Sequence, residues 1–311
     1  MLSPEQYEKD ATVLRNAMKG WGTDEKPIIE ITAKRSNADR QEIKKYYKSA
    51  FGRDLEKDLD SELSNNFRKT ILAMYKTPLD YDTSELYYAM KGMGTNEDTL
   101  IEIIGTRSNS QLEAIKKRFK ELYNKDLEAE VKDETSGRLQ KLLLSILACN
   151  RSELTKNEID TDKLDKDVKD LYDAGENKVG TDESVFNKIY CMRSYAELQY
   201  INKQYLKHCG KDLIKVTESE FSGDERRLLK TIMHYAMDPA DYFAKRIYKA
   251  CKGLGTNDAV LIRCLVSRDE IDLKQIKEIY PKKYGMTLYE EIKDETSGDY
   301  KNILLQIALT D

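Results

Sequence analysis

Apolar residues recur at intervals of three and four along most of the chain, the period of a helix with one buried stripe. Ile28 and Ile31 mark one such face, and Ile43, Tyr46, Tyr47 and Ala50 mark the next. Ser36-Asn37, Ser108-Asn109, Ser194-Tyr195 and Ser267-Arg268 each precede a new helical run, and the first two pairs carry good N-cap chemistry. The turns Gly52-Arg53-Asp54-Leu55, Asn124-Lys125-Asp126-Leu127 and Gly210-Lys211-Asp212-Leu213, with a looser Gly285-Met286-Thr287-Leu288, are expected to close the middle helix of each copy. Five prolines interrupt 311 residues and no stretch reads as a strand, so the expected fold class is all-α. Pro281 falls inside one helical run, where a missing N–H and a clash with the preceding turn predict a kink or an early end.

The helices come in four copies. Glycine turns at Gly22, Gly94, Gly180 and Gly255 step by 72, 86 and 75 residues, each is followed by threonine, and each has a glutamate 40 residues later: Glu62, Glu134, Glu220 and Glu295. With 56 acidic residues in 311, four such hits at one offset would arise by chance about once in a thousand trials. The repeat unit is about 70 to 75 residues with about five short helices. The extra chain between the second and third copies is the polar stretch Arg151 to Asp165, read as a linker. The expected division is a tail at 1–10, repeats at 11–77, 78–150, 166–237 and 238–311, and the linker at 151–165.

The first turn reads Met18-Lys19-Gly20-Trp21-Gly22-Thr23, the second Met90-Lys91-Gly92-Met93-Gly94-Thr95, and the fourth Cys251-Lys252-Gly253-Leu254-Gly255-Thr256. The third is stretched, Gly175-Glu176-Asn177-Lys178-Val179-Gly180-Thr181. Glycines let the backbone take left-handed angles and turn successive carbonyls inward, and a carboxylate adds a hard anionic oxygen pair, so the pairing suggests a calcium site made from two loops. The threonine in each turn is placed to cap the next helix, with acidic residues following in its first turn.

Composition sharpens this. Lysine and arginine total 52 and aspartate and glutamate 56, a formal net charge of -4, so the bare chain has no electrostatic reason to seek nucleic acid or an acidic membrane. A cation would be needed. Three carbonyls and a bidentate glutamate make five oxygens, whereas calcium takes six to eight, which leaves one or two positions for water or phosphate. Four calcium ions would add about +8 to the protein's charge. The five cysteines, Cys149, Cys191, Cys209, Cys251 and Cys264, are odd in number and lack zinc-type pairs, fitting reduced thiols in the cytoplasm. No signal stretch opens the chain, and the apolar run Leu142 to Cys149 is too short to span a bilayer. Asn150-Arg151-Ser152 is then an idle glycosylation match.

On the Met-Lys-Gly-x-Gly-Thr turns and their distant acids, the chain resembles an annexin over essentially its whole length. The Asp-Glu-Thr-Ser-Gly runs at 133–137 and 294–298 are similar to that family's second calcium loop. The resemblance implies four five-helix repeats in a slightly curved disc, with type II calcium sites on its convex face bridging to anionic phospholipid such as phosphatidylserine. Carried over by position, the carbonyl ligands are Met18, Gly20 and Gly22; Met90, Gly92 and Gly94; Gly175, Lys178 and Gly180; and Cys251, Gly253 and Gly255. Glu62, Glu134, Glu220 and Glu295 supply the carboxylates. Cys251 replaces the usual methionine, but only its carbonyl is used. The stretched third loop resembles a known variant. The resemblance also places Asp82, Glu85, Glu102, Arg107 and Arg263 at the charged positions of a central pore, where a hinge or a buried ion-pair network is the more economical reading.

Trp21, Met93, Val179 and Leu254 occupy the loop tips, and four apolar tips suit a membrane interface better than an ordinary surface. The alternative is that they pack on their own repeats. Lys19, Lys91, Lys178 and Lys252 beside them are candidates for phosphate contact, or simply solvated. With two histidines, His208 and His234, and no nucleophile elbow, zinc-protease helix or phosphate-binding loop, no common catalytic constellation is present, and no enzyme activity is expected. Asp160-Thr161-Asp162 fails as an EF-hand because Asp165 and Leu171 stand where glycine and glutamate are required. The rival readings are a helical-repeat scaffold, cytoskeletal in its partners, and a calcium-permeable channel. Self-association on the membrane is left open. The short segment before Met18 directs function to the four-repeat core, acting from the cytoplasm on the inner face of membranes when calcium rises.

Overall fold

The computed structural model describes residues 2–20, 22–253 and 255–309, and every regular element among them is helical. The first repeat comprises α1 (Pro4–Ala17), α2 (Glu25–Lys34), α3 (Asn37–Phe51), α4 (Leu55–Glu62) and α5 (Asn65–Tyr75). The second comprises α6 (Pro78–Met90), α7 (Glu97–Thr106), α8 (Asn109–Tyr123), α9 (Leu127–Glu134) and α10 (Gly137–Leu147). The third runs α11 (Thr161–Ala174), α12 (Glu183–Met192), α13 (Tyr195–Cys209), α14 (Leu213–Glu220) and α15 (Gly223–Met237). The fourth runs α16 (Pro239–Cys251), α17 (Asp258–Arg268), α18 (Leu273–Tyr284), α19 (Leu288–Glu295) and α20 (Gly298–Leu309).

Local chemistry sets most of these boundaries. Ser36, Ser108 and Ser194 cap α3, α8 and α13 by accepting from the N–H three residues on, and Ser108 and Ser194 complete capping boxes with Gln111 and Glu197. Gly52, Asn124, Gly210 and Gly285 end the third helix of each repeat in the left-handed conformation.

The fourth repeat departs from the expected start. Ser267 and Arg268 lie inside α17, and α18 begins later, at Leu273. Arg268 reaches forward to Asp272 with bonds of 2.6 and 2.7 Å, which holds the connecting residues as a turn. Pro281 does not end α18 early. The helix continues to Tyr284: the missing N–H removes one bond, but the Pro281 carbonyl still accepts from Gly285 at 3.0 Å and the last turn closes. Within the expected linker Asp160 accepts from the Lys163 N–H at 3.3 Å, and α11 starts at Thr161.

The chain forms two compact units, Met1–Tyr81 with Phe243–Asp311, and Asp82–Tyr242. In the first, α2 packs on α20 and α5 on α17 and α20, around Ile28, Ile71, Ile303, Leu304 and Ile307. In the second, α7 packs on α15 and α10 on α12 and α15, around Ile103, Ile104, Leu143, Leu228 and Ile232. At the α7–α15 contact a Cβ on Gly105 would come within 3.0 Å of Leu228 Cδ1 and 3.2 Å of Thr231 Cγ2, so glycine sets how closely the helices approach.

Candidate metal sites

In each repeat the loop between the first and second helices is closed in the same way. The N–H of the residue capping the second helix donates to an alanine carbonyl in the last turn of the first: Asp24 to Ala17 (2.9 Å), Asn96 to Ala89 (2.8 Å), Asp182 to Ala174 (2.7 Å) and Asn257 to Ala250 (2.7 Å). Closure satisfies that carbonyl and leaves the loop carbonyls beyond it to find other partners. In the second loop, φ is +115° at Gly92 and +88° at Gly94, a conformation that residues bearing a Cβ rarely adopt. No described N–H donates to the carbonyls of Met90, Gly92 or Gly94.

The third loop is built differently. Gly175 has φ -125°, so it is glycine not for a left-handed angle but because a Cβ would meet Phe186 Cζ at 3.1 Å. Its carbonyl already accepts from the Lys178 N–H at 3.1 Å, leaving one lone pair there for a cation. Gly180 keeps the left-handed conformation, φ +83°.

The distant glutamates come to these loops. Glu62, Glu134, Glu220 and Glu295 are the last residues of α4, α9, α14 and α19. Each carboxylate accepts a hydrogen bond from the loop threonine 39 residues earlier: Thr23 to Glu62 at 3.1 Å, Thr95 to Glu134 at 3.0 Å, Thr256 to Glu295 at 3.2 Å, and Thr181 to Glu220. This revises the reading of the threonines as helix caps. Asp24, Asn96, Asp182 and Asn257 occupy the cap positions, and the side chains of the last three accept helix N–H groups. The threonines position the acids. A signal for this was present, since each threonine precedes its glutamate by one fixed interval, but no local rule interprets an interval of that length.

Among the described residues, no group of three or more His, Cys, Asp and Glu side chains gathers as a metal cage. Donors at each loop would be main-chain carbonyls and one carboxylate. That is a hard all-oxygen set, suited to calcium and unsuited to a soft metal.

Two loop tips are fully exposed, Met93 at 106% and Val179 at 103%, which removes packing on their own repeats as an explanation for them. Trp21 and Leu254 lie outside the described residues. The neighbouring lysines differ from one another. Lys91 stands over the rings of Tyr87 (5.4 Å) and Tyr88 (5.8 Å), whereas Lys252 pairs with Glu291 at 2.8 Å.

Of the charged residues assigned to a pore or hinge, Asp82 and Glu85 lie on α6, Glu102 on α7 and Arg107 at its end. Arg107 bonds Asp82 at 2.6 and 2.8 Å. Burial works against the guanidinium charge, but Asp82 and then Glu102 outweigh it and raise the Arg107 pKa. Arg263, buried on α17, belongs to the other compact unit. The Asp82–Arg107 pair also has counterparts in Asp10–Arg35 and Asp167–Arg193, each closing at 2.6 Å between the first helix and the end of the second. It is therefore a repeated element of helix packing. In the fourth repeat Phe243 takes the acid's place and Arg268 lies over its ring at 4.3 Å.

The annexin family model matches residues 9–74, 81–146, 166–232 and 242–307. Annexin A11 of Oryctolagus cuniculus is 47% identical over 96% of this chain, which spans 59% of that longer protein. Annexin A13 of Homo sapiens is 43% identical over 98% of this chain and 96% of its own length. Among solved structures, annexin III superposes with a TM-score of 0.95 at 39% identity, covering 100% of this chain and 96% of that one. Calcium-bound annexin (Sm)1 superposes with a TM-score of 0.87 at 34% identity, covering 99% and 92%.

Proposed function

Because the chain belongs to the annexin family, whose members bind phospholipid in a calcium-dependent manner, we propose that it docks on anionic membranes through four type II calcium sites, one per repeat. The observation that carries this reading is the threonine–glutamate hydrogen bond found in all four repeats, which holds a carboxylate beside a glycine loop before any ion arrives. In the second repeat the carbonyls of Met90, Gly92 and Gly94 and the carboxylate of Glu134 form the donor set, and the corresponding residues serve in the other three. Calcium, when bound, would supply positive charge and coordination positions open to a lipid phosphate oxygen.

The chain's own residues do the rest. One carboxylate per site leaves each loaded site cationic, so a protein of net charge -4 becomes attractive to an anionic surface. Met93 and Val179 enter the headgroup region, where an apolar tip gains by leaving water. The calcium in the annexin (Sm)1 structure supports the choice of ion. No described helix is long and apolar enough to cross a membrane, which accords with peripheral attachment. In this reading the protein acts from the cytoplasm on inner membrane faces, with phosphatidylserine as the principal ligand.

Sedimentation with phosphatidylserine vesicles tests it. The protein is expected to pellet in calcium and stay in the supernatant in chelator. Equal pelleting in both, or none in either, would leave a scaffold built on structural glycine turns as the better account.

A further inference from the structure

The fourth repeat contains a buried carboxylate that the calcium site does not use. Glu291 lies on α19 one turn before Glu295, on the same helix face, and its side chain is 0% exposed. No well-aligned hydrogen bond reaches either of its oxygens among the described residues. The positive charge against it is the ammonium of Lys252, 2.8 Å away and itself 44% exposed. That lysine stands between Cys251 and Gly253, two of the carbonyl donors assigned to the site.

The equivalent position differs in each other repeat, counted from the leucine that opens the fourth helix. In the first it is Asp58, bonded by Arg53 at 2.6 Å and Tyr47 at 2.7 Å, with Arg15 at 3.7 Å. In the second it is Glu130, paired with Lys125 from the preceding turn at 2.7 Å. In the third it is the apolar Val216. The fourth repeat alone draws the counter-charge from the calcium loop itself.

A buried carboxylate is costly without its partner, so Lys252 cannot swing to a headgroup while Glu291 depends on it. A dication held by Glu295 and the loop carbonyls changes that balance, because it places a second positive charge beside the same group. The two carboxylates face the same side of α19, one helical turn apart, so both act on one locality.

We propose that Glu291 latches Lys252 in the calcium-free protein and that calcium at the fourth loop releases the lysine to contact the phosphate of an anionic lipid surface. This rests on the calcium reading above and adds to it a loop whose basic contact is withheld until the ion is present.

A double-mutant cycle in the full chain decides the matter. In chelator, Lys252→Met should lower the urea midpoint of the wild type but leave that of Glu291→Gln unmoved. In saturating calcium that difference should shrink. Lys252→Met should then weaken binding to phosphatidylserine vesicles roughly fivefold, as expected for one lysine near an anionic surface. Inorganic phosphate, in place of vesicles, should not distinguish the two proteins. Equal midpoint losses in both backgrounds would overturn the latch whatever calcium does. Coupling that persists undiminished in calcium would overturn the release. Glu291→Met, uncharged and of similar volume, provides the cycle if the glutamine variant does not fold. Wild-type sedimentation, run in parallel, reports separately on calcium-dependent docking, and the chelator arm needs neither calcium nor lipid.

Discussion

A threonine hydroxyl that donates to a carboxylate 39 residues away fixes one rotamer of the acid and ties two loops between which no backbone–backbone hydrogen bond runs among the described residues. Thr95 illustrates this with bonds of 3.0 Å to both the carboxylate and the main-chain carbonyl of Glu134. A hydrogen bond of this kind contributes about 1 kcal/mol. Thr95→Val, which keeps the shape and removes the donor, is expected to raise the calcium needed for half-maximal vesicle binding by roughly fivefold. Thr95→Ser should behave as wild type; an unchanged calcium curve in the valine variant would mean Glu134 needs no such guide. A second residue-scale case concerns acid stability. Burial acts to raise the pKa of Asp39, but hydrogen bonds from Ser36, Tyr7 and the Leu2 N–H overcome it and lower the value from 3.8 to about 2. A depressed carboxylate stabilises the fold above its unfolded pKa and loses that contribution as pH falls through its folded one. The urea midpoint of Asp39→Asn should therefore lie below wild type at pH 7, with the gap closing between about pH 4 and pH 2.

Between elements, the closest approach is where α7 meets α15 at Gly105. Gly105→Val would press two methyl groups into Leu228 and Thr231, and a cost of about 1 to 3 kcal/mol is expected in chemical denaturation. A wild-type midpoint would show that α15 can retreat. Helix periodicity, serine caps and glycine stops made most of these elements legible in the chain, since each depends on neighbours within a turn or two. The misreadings have a common physical origin. Thr23, Thr95, Thr181 and Thr256 carry good cap chemistry, but a carboxylate distant in sequence competes for the hydroxyl. Ser267-Arg268 stands where a new helical run is expected to follow, but Arg268, with Phe243 in place of an aspartate partner, turns to Asp272, and α18 starts at Leu273. Local preference lost in each case to a tertiary partner that only the fold brings near. The approach of each acid to its glycine loop was legible as a fixed interval; the hydroxyl that joins them was not.

Across the whole molecule, four copies of one weak device raise the question of how the load is shared. On the proposed reading each site offers a single carboxylate, so no one of them would hold calcium tightly on its own, and lipid would complete the coordination. Attachment through several such sites multiplies: once one repeat is docked, the others meet the membrane at high effective concentration. Glu62→Gln, Glu134→Gln, Glu220→Gln and Glu295→Gln, made singly, should each shift the calcium curve for vesicle sedimentation to higher concentration without abolishing it. Combined in pairs and then together, they should flatten the curve and finally leave a protein that remains in the supernatant, because a chain of net charge -4 has no other attraction for an acidic surface. Raising salt should weaken every partly loaded variant, since the attraction passes through screened charge. If one substitution alone eliminated sedimentation while the other three had no effect, binding would reside in a single repeat. The remaining threonine–glutamate pairs would then be elements of the fold rather than of its attachment to membranes.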